Sequence, residues 1–122
     1  MIHLRLPAAG VLAASLLFAA PALAAGDAVK GKAVFARCVA CHKATSGPMG
    51  PSLNGVVGRK AGVAPGFRYS KAMTASGKTW SEAELDGFLA APAKSVPGTS
   101  MFINLSNAAD RSNVIAYLAT VK

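Results

Sequence analysis

Two thiols and an imidazole carry the chemistry legible in this chain: Cys38, Cys41 and, directly after it, His42. Thiols three positions apart share one side of a helical turn, so each can add to a vinyl group of the same porphyrin. An imidazole immediately behind them falls under the metal and binds it as an axial ligand. Cys38-Val39-Ala40-Cys41-His42 therefore reads as a site for covalent attachment of a c-type haem. Both cysteines of the chain lie in this stretch, so no other thiol competes for the role. A thioredoxin-like redox pair has the same spacing but expects a βαβ setting, and no such pattern surrounds these residues. A structural zinc site needs four ligands; beyond the leader described below, the chain offers two cysteines and one histidine.

With no further histidine past the leader, the opposite face of the iron is open or taken by another residue type. A thioether is the natural candidate, and His/Met ligation raises the reduction potential. Met49 follows His42 too closely to reach round a porphyrin with ease. Met73 falls on a short helical stretch, where a place in the core is the ordinary reading. Met101 follows the turn Pro97-Gly98-Thr99-Ser100, far from His42 along the chain, and such a loop can wrap the far face of the ring. Spacing alone ranks Met101 a little ahead of Met73 and leaves both open.

The elements that must hold these residues read as helices and long loops. Asp27 is an N-cap for a helix from about Ala28, with Val29, Ala33, Val34 and Phe35 as its apolar side, running into the haem motif. Gly31 inside that helix costs about 1 kcal/mol relative to alanine, and a close crossing with another helix would explain it. Residues 43–65 carry Gly47, Pro48, Gly50, Pro51, Gly55, Gly58 and Gly62 and read as loop. Ser70 caps a short helix to about Ala75, ended by Gly77. Ser81-Glu82-Ala83-Glu84 fits a capping box, with Trp80 and Leu85 as a hydrophobic staple. Leu85, Phe88 and Leu89 share one face of that helix, and Pro92 stops it. The segment from Lys94 to Leu105 reads as irregular. A last helix starts near Ser106 or Asn107 and buries Val114, Ile115, Leu118 and Val121. No segment reads as a strand, so the expected fold class is all-α.

Residues 1–25 read as a cleaved secretory signal. Arg5 supplies the positive start, an apolar run extends from Ala8 to Ala20, and Pro21 precedes the small-residue site Ala22-Leu23-Ala24. Cleavage is expected after Ala24 or Ala25. An uncleaved membrane anchor is the competing reading, because Leu6 to Ala25 approaches the roughly 20 residues a bilayer crossing needs. Pro21 and the alanine-rich end favour cleavage. Residues 26–122 then form one domain, exported to the periplasm. Losing Arg5 takes the formal charge from +8 to +7. Export argues against nucleic acid as the partner of this basic domain. An acidic protein surface or a weakly bound anionic membrane face is the better match.

From Gly31 to Leu118 the chain resembles mitochondrial-type cytochrome c and its bacterial periplasmic electron-carrier relatives, the class I c-type cytochromes. The stretches that carry the resemblance are Lys30-Gly31-Lys32-Ala33-Val34-Phe35, the haem motif and Gly50-Pro51-Ser52-Leu53. Gly58-Arg59-Lys60, Ala64-Pro65-Gly66-Phe67-Arg68-Tyr69-Ser70 and Thr79-Trp80 follow. Pro97-Gly98-Thr99-Ser100-Met101 and Ile115-Ala116-Tyr117-Leu118 complete the series. The resemblance implies a single-domain cytochrome c fold, three main helices plus short helices and long loops around one covalent haem c. It implies Met101 as the sixth ligand and the Pro51 carbonyl as the acceptor that orients His42. Arg59, Tyr69 and Trp80 would donate to the haem propionates. Each has an ordinary alternative: a solvated charge, a loop anchor and a staple. Gly31 and Phe35 would pack on the last helix near Tyr117.

Departures from the family pattern are also present. The loop between His42 and Pro51 is shorter than in mitochondrial forms. Phe88 stands where those forms have a tyrosine whose hydroxyl reaches the ligand sulfur, and Met73 replaces an asparagine near the haem. Ala93 and Ser100 occupy two places of the family's docking lysines, while Lys32, Arg37 and Lys94 remain.

The function implied is electron transfer, not enzymatic turnover, by a monomer cycling between ferrous and ferric iron. Expected partners have acidic docking surfaces: quinol–cytochrome c reductase, an oxidase, a reaction centre or a periplasmic dehydrogenase. Two rivals share the motif. One is a haem-based peroxidase or gas-binding protein with a labile Met101. The other is a dedicated cytochrome subunit of a dehydrogenase.

Overall fold

The computed structural model describes residues 10, 12–16 and 25–122. The expected signal segment, with its cleavage site at Ala22-Leu23-Ala24, lies almost wholly outside the described residues. Five helices follow in order: α1 (Ala28–Phe35), α2 (Lys71–Ala75), α3 (Glu82–Ala90), α4 (Pro92–Ser95) and α5 (Ala108–Leu118). Thus α1, α3 and α5 are the main helices and α2 and α4 the short ones, as the all-α reading expects. Among the described residues no helix is long and apolar enough to cross a membrane.

Side-chain caps set the helix starts. The Asp27 carboxylate accepts from the Val29 and Lys30 amides at 2.8 and 3.2 Å, and the Asn107 side chain accepts from the Asp110 amide at 3.0 Å. Each satisfies amide donors that a helix N-terminus leaves without a carbonyl. Ser70 caps α2 through the Met73 amide. Ser81 caps α3 through the Glu84 amide at 3.2 Å. The capping box closes on one side only. Glu84 turns to Lys78, at 2.9 Å, and the Ser81 amide donates to the Thr79 carbonyl.

The helices differ from expectation at several positions. Val29 is 83% exposed and Ala33 is exposed as well. Five residues at about 100° each place Val29 well round the helix from Val34. The buried stripe of α1 is Gly31, Val34 and the partly buried Phe35. Pro92 does end α3, because the residue before a proline avoids helical backbone and Ala91 is extended at φ −156°, ψ 83°. But Pro92 then opens α4, where its missing amide costs nothing, so Lys94 and Ser95 are helical rather than irregular.

The core gathers Val34 from α1, Met73 from α2, Leu85 and Phe88 from α3, and Val114, Ile115 and Leu118 from α5, with Trp80, Val56, Val96 and Leu105 from the loops. Val121, expected in the α5 stripe, is only half-buried. Helix α5 is the centre: it packs on both α1 and α3. A Cβ on Gly31 would run into the Asn113 carbonyl of α5 and come within 2.9 Å of the Tyr117 Cβ. The glycine is therefore the crossing point. Beside it the Phe35 and Tyr117 rings lie tilted, with centroids 5.2 Å apart.

Candidate haem site

The haem motif occupies the turns that continue α1. The Cys38 amide donates to the Phe35 carbonyl at 2.8 Å, and the His42 amide to the Cys38 carbonyl at 2.8 Å. This keeps Cys38, Cys41 and His42 on one coiled stretch, all three half-buried. Burial pushes the Cys38 thiol above its ordinary value; Arg37 opposes the rise and Cys41 adds to it. A thioredoxin-like pair works with a lowered thiol, so the local electrostatics do not favour that chemistry. Among the described residues no cluster of three His, Cys, Asp or Glu gathers that could hold a zinc ion.

His42 is oriented by the loop beneath it. Its Nδ1 lies 2.8 Å from the Pro51 carbonyl oxygen. A carbonyl can only accept, so Nδ1 carries the proton and Nε2 keeps its lone pair for a metal. Gly50 makes the close approach: a Cβ there would lie 3.1 Å from His42 Nδ1 and Cε1. The loop is held in place by the Ser46 hydroxyl, which accepts from the Ser52 amide at 2.8 Å. Neither Gly50 nor Ser46 was singled out by its spacing for this role, although the Gly50-Pro51 pair marks a turn. A cavity of about 430 Å³ opens beside His42, lined by Phe35, Leu53, Tyr117 and Leu118 and by Lys43 and Ala44 of the shortened loop.

Arg59 and Trp80, 21 positions apart, are brought together by backbone pairing. The Trp80 amide donates to the Arg59 carbonyl at 2.8 Å, and the Gly58 amide to the Trp80 carbonyl at 2.7 Å. The Lys60–Thr79 bridge belongs to the same antiparallel contact. It is the strand-like feature that periodicity could not reveal, because it is one residue pair long. Trp80 is buried, and its ring packs on Phe88 at 4.9 Å. Arg59 donates from Nη1 to the Asn54 carbonyl at 2.9 Å and from Nη2 to the Ser52 carbonyl at 3.0 Å. Its Nε is buried without a partner. A buried donor left unmatched costs free energy, and an acid group of a bound ligand would supply the acceptor. Tyr69 is half-buried; its hydroxyl accepts from the Ala64 amide at 3.2 Å and keeps its own proton to donate.

The three methionines separate by burial. Met49 is 68% exposed and Met73 is 8% exposed within the core on α2. Met101 lies in the irregular segment between α4 and α5, half-buried against the core. These residues fit a haem: an oriented imidazole with a free Nε2, paired thiols, an orphaned Arg59 donor and a glycine cradle under the ring.

Comparison with known proteins agrees. The family model "Cytochrome c" matches residues 28–122. The chain is 53% identical over 114 residues to a cytochrome c2 of Rhodomicrobium vannielii, covering 90% of this chain and 91% of that one. Among solved structures, cytochrome cH from Methylobacterium extorquens superposes with a TM-score of 0.75 at 47% identity, covering 78% of this chain and 99% of that one. Ferricytochrome c2 from Rhodopseudomonas palustris does so with a TM-score of 0.73 at 39% identity, covering 79% and 99%. This chain belongs to the cytochrome c family, and it is an electron-transfer protein with one covalent haem c, for which Cys38 and Cys41 have the attachment spacing.

Proposed function

We propose that the leader, residues 1–25, is removed on export and that residues 26–122 act in the periplasm as a monomeric carrier. The haem supplies a metal that gains and loses one electron. His42 binds it through Nε2, held in orientation by the Pro51 carbonyl. Met101 would supply the second protein ligand, a thioether sulfur, and so leave no open position for a peroxide or a gas. Arg59, Tyr69 and Trp80 hold the propionates. Arg59 donates to the Ser52 and Asn54 carbonyls, and from that fixed position its charge would offset that of the propionates. With His42 and Met101 both retained as ligands, little of the chain would need to rearrange on transfer. The carrier takes electrons from a membrane-bound or periplasmic donor and delivers them to an oxidase, reaction centre or other acceptor with an acidic docking surface.

The observation that carries this reading is the His42 Nδ1–Pro51 contact of 2.8 Å, which fixes the tautomer a metal ligand requires. The test is the optical spectrum of the purified ferric protein beside Met101→Ala. Native protein is expected to show the weak far-red absorption of a sulfur–iron bond, and Met101→Ala to lose it and bind carbon monoxide readily when reduced. Native protein that binds carbon monoxide as readily as the variant would instead favour a gas-binding role.

A further inference from the structure

The segment that carries Met101 has few attachments of its own. On its near side, the Val96 amide reaches the Pro92 carbonyl at 2.8 Å and the Thr99 amide reaches the Val96 carbonyl at 3.0 Å. The Met101 amide has only the Thr99 hydroxyl, at 3.4 Å. Beyond Met101, Phe102 is 88% exposed and Ile103 46%. Asn104 then makes a long contact from Nδ2 to the Ala90 carbonyl at 3.4 Å, and the firm anchorage is at residues 105 and 106, made in large part by a side chain of α5. Arg111 donates from Nη1 to the Leu105 carbonyl at 2.9 Å and to the Ser106 carbonyl at 3.0 Å. From Nε it donates to the Asp86 carboxylate of α3 at 2.8 Å. The pair is sheltered, with side chains 14% and 28% exposed. The Leu105 amide meets the Leu89 carbonyl at 2.8 Å, which fastens the same point to the end of α3.

One guanidinium thus joins three pieces: α3, α5 and the far end of the Met101 segment. Its charge strengthens each hydrogen bond, and its planar fork can serve several acceptors together, which a lysine ammonium on a flexible stem does poorly. We propose that Arg111 is a positioning residue for the iron: it locks the far end of the segment 97–106 and so holds the Met101 sulfur against release. The inference rests on Met101 being the axial ligand. Opening the segment is then a local event. It needs the Arg111 contacts to break but leaves the α1–α5 crossing and the His42 loop intact.

The experiment measures sulfur release in the intact ferric haem protein at neutral pH, well below its unfolding temperature. Excess imidazole is mixed in to capture the iron whenever the sulfur leaves, and loss of the far-red sulfur–iron absorption gives the rate. Arg111→Met is expected to speed release about tenfold or more, since three charge-assisted contacts go, with Arg111→Lys between it and native protein. Val34→Ala, in the α1 face of the core, is the control for general destabilisation. It should lower the unfolding midpoint and leave the release rate unchanged. Should Arg111→Met not accumulate, Arg111→Lys carries the same comparison. A release rate in the Arg111 variants equal to that of native protein, or one matched by Val34→Ala, overturns the role of Arg111. Absorption that persists in Met101→Ala overturns the ligand assignment, and the lock with it.

Discussion

At the scale of single residues, the proposed sulfur ligation makes the balance between the two oxidation states depend on what the Met101 sulfur meets. Phe88 is buried at 6% exposure, with its ring 4.9 Å from Trp80. It offers no donor where the mitochondrial family members place a tyrosine hydroxyl against the sulfur. With Met101 as ligand, a sulfur free of any such hydrogen bond gives more of its electron density to ferric iron, which favours the oxidised form. Phe88→Tyr should therefore raise the reduction potential. A neutral hydrogen bond worth about 1 kcal/mol, acting on one oxidation state only, bounds the rise at roughly 40 mV for a one-electron couple. A redox titration returning an unchanged or lower value would show that the new hydroxyl does not reach the sulfur.

At the scale of elements, the haem motif is aimed by α1, and α1 is aimed by its contact with α5. Replacing Gly31 with alanine puts a methyl group into the Asn113 carbonyl, a backbone atom with no rotamer to yield. Overpacking of this kind costs about 3 kcal/mol, visible as a lower denaturant midpoint with an unchanged slope. A loss below about 1 kcal/mol would mean that the two helices can slide apart, contrary to so tight a crossing. Gly31 also shows how far the chain could be read unaided. A glycine within a helix calls for a close neighbour, and caps at Asp27, Ser70 and Ser81 announce helix starts, because these signals act within a few residues. The haem motif and the loop character of residues 43–65 are legible for the same reason. Contacts between distant residues leave no such trace. Neither the Arg59–Trp80 pairing nor the Arg111–Asp86 pair has a spacing that a helix or strand would repeat. The buried face of α1 departs from the apolar pattern at Val29 for a related reason: an eight-residue helix has too few apolar positions to define its own stripe, and α5 decides it.

At the scale of the molecule, charge is segregated along the chain. No Asp or Glu occurs between Ala28 and Ser81, while Lys30, Lys32, Arg37, Lys43, Arg59, Lys60, Arg68, Lys71 and Lys78 all fall there. Most of the five carboxylates are engaged within the fold. Asp110 pairs with Arg37 at 3.3 Å, Glu84 with Lys78 at 2.9 Å and Asp86 with Arg111 at 2.8 Å, and Asp27 caps α1. The field that reaches an approaching partner is therefore positive, and it speeds encounter with an acidic surface more than it strengthens the complex. Raising the ionic strength from about 0.01 M to 0.15 M shortens the reach of that field from roughly 30 Å to 8 Å. The second-order rate of electron transfer to an acidic partner should fall steeply over this range, as followed by stopped-flow absorbance. The exposed apolar side chains make the opposite outcome informative. Phe102 and Ile103 beside Met101, and Val39 within the haem motif, are exposed at 88%, 46% and 46%, and contact through them would be indifferent to salt. A flat profile would assign partner recognition to exposed apolar side chains such as these and leave the positive charge without a part in encounter.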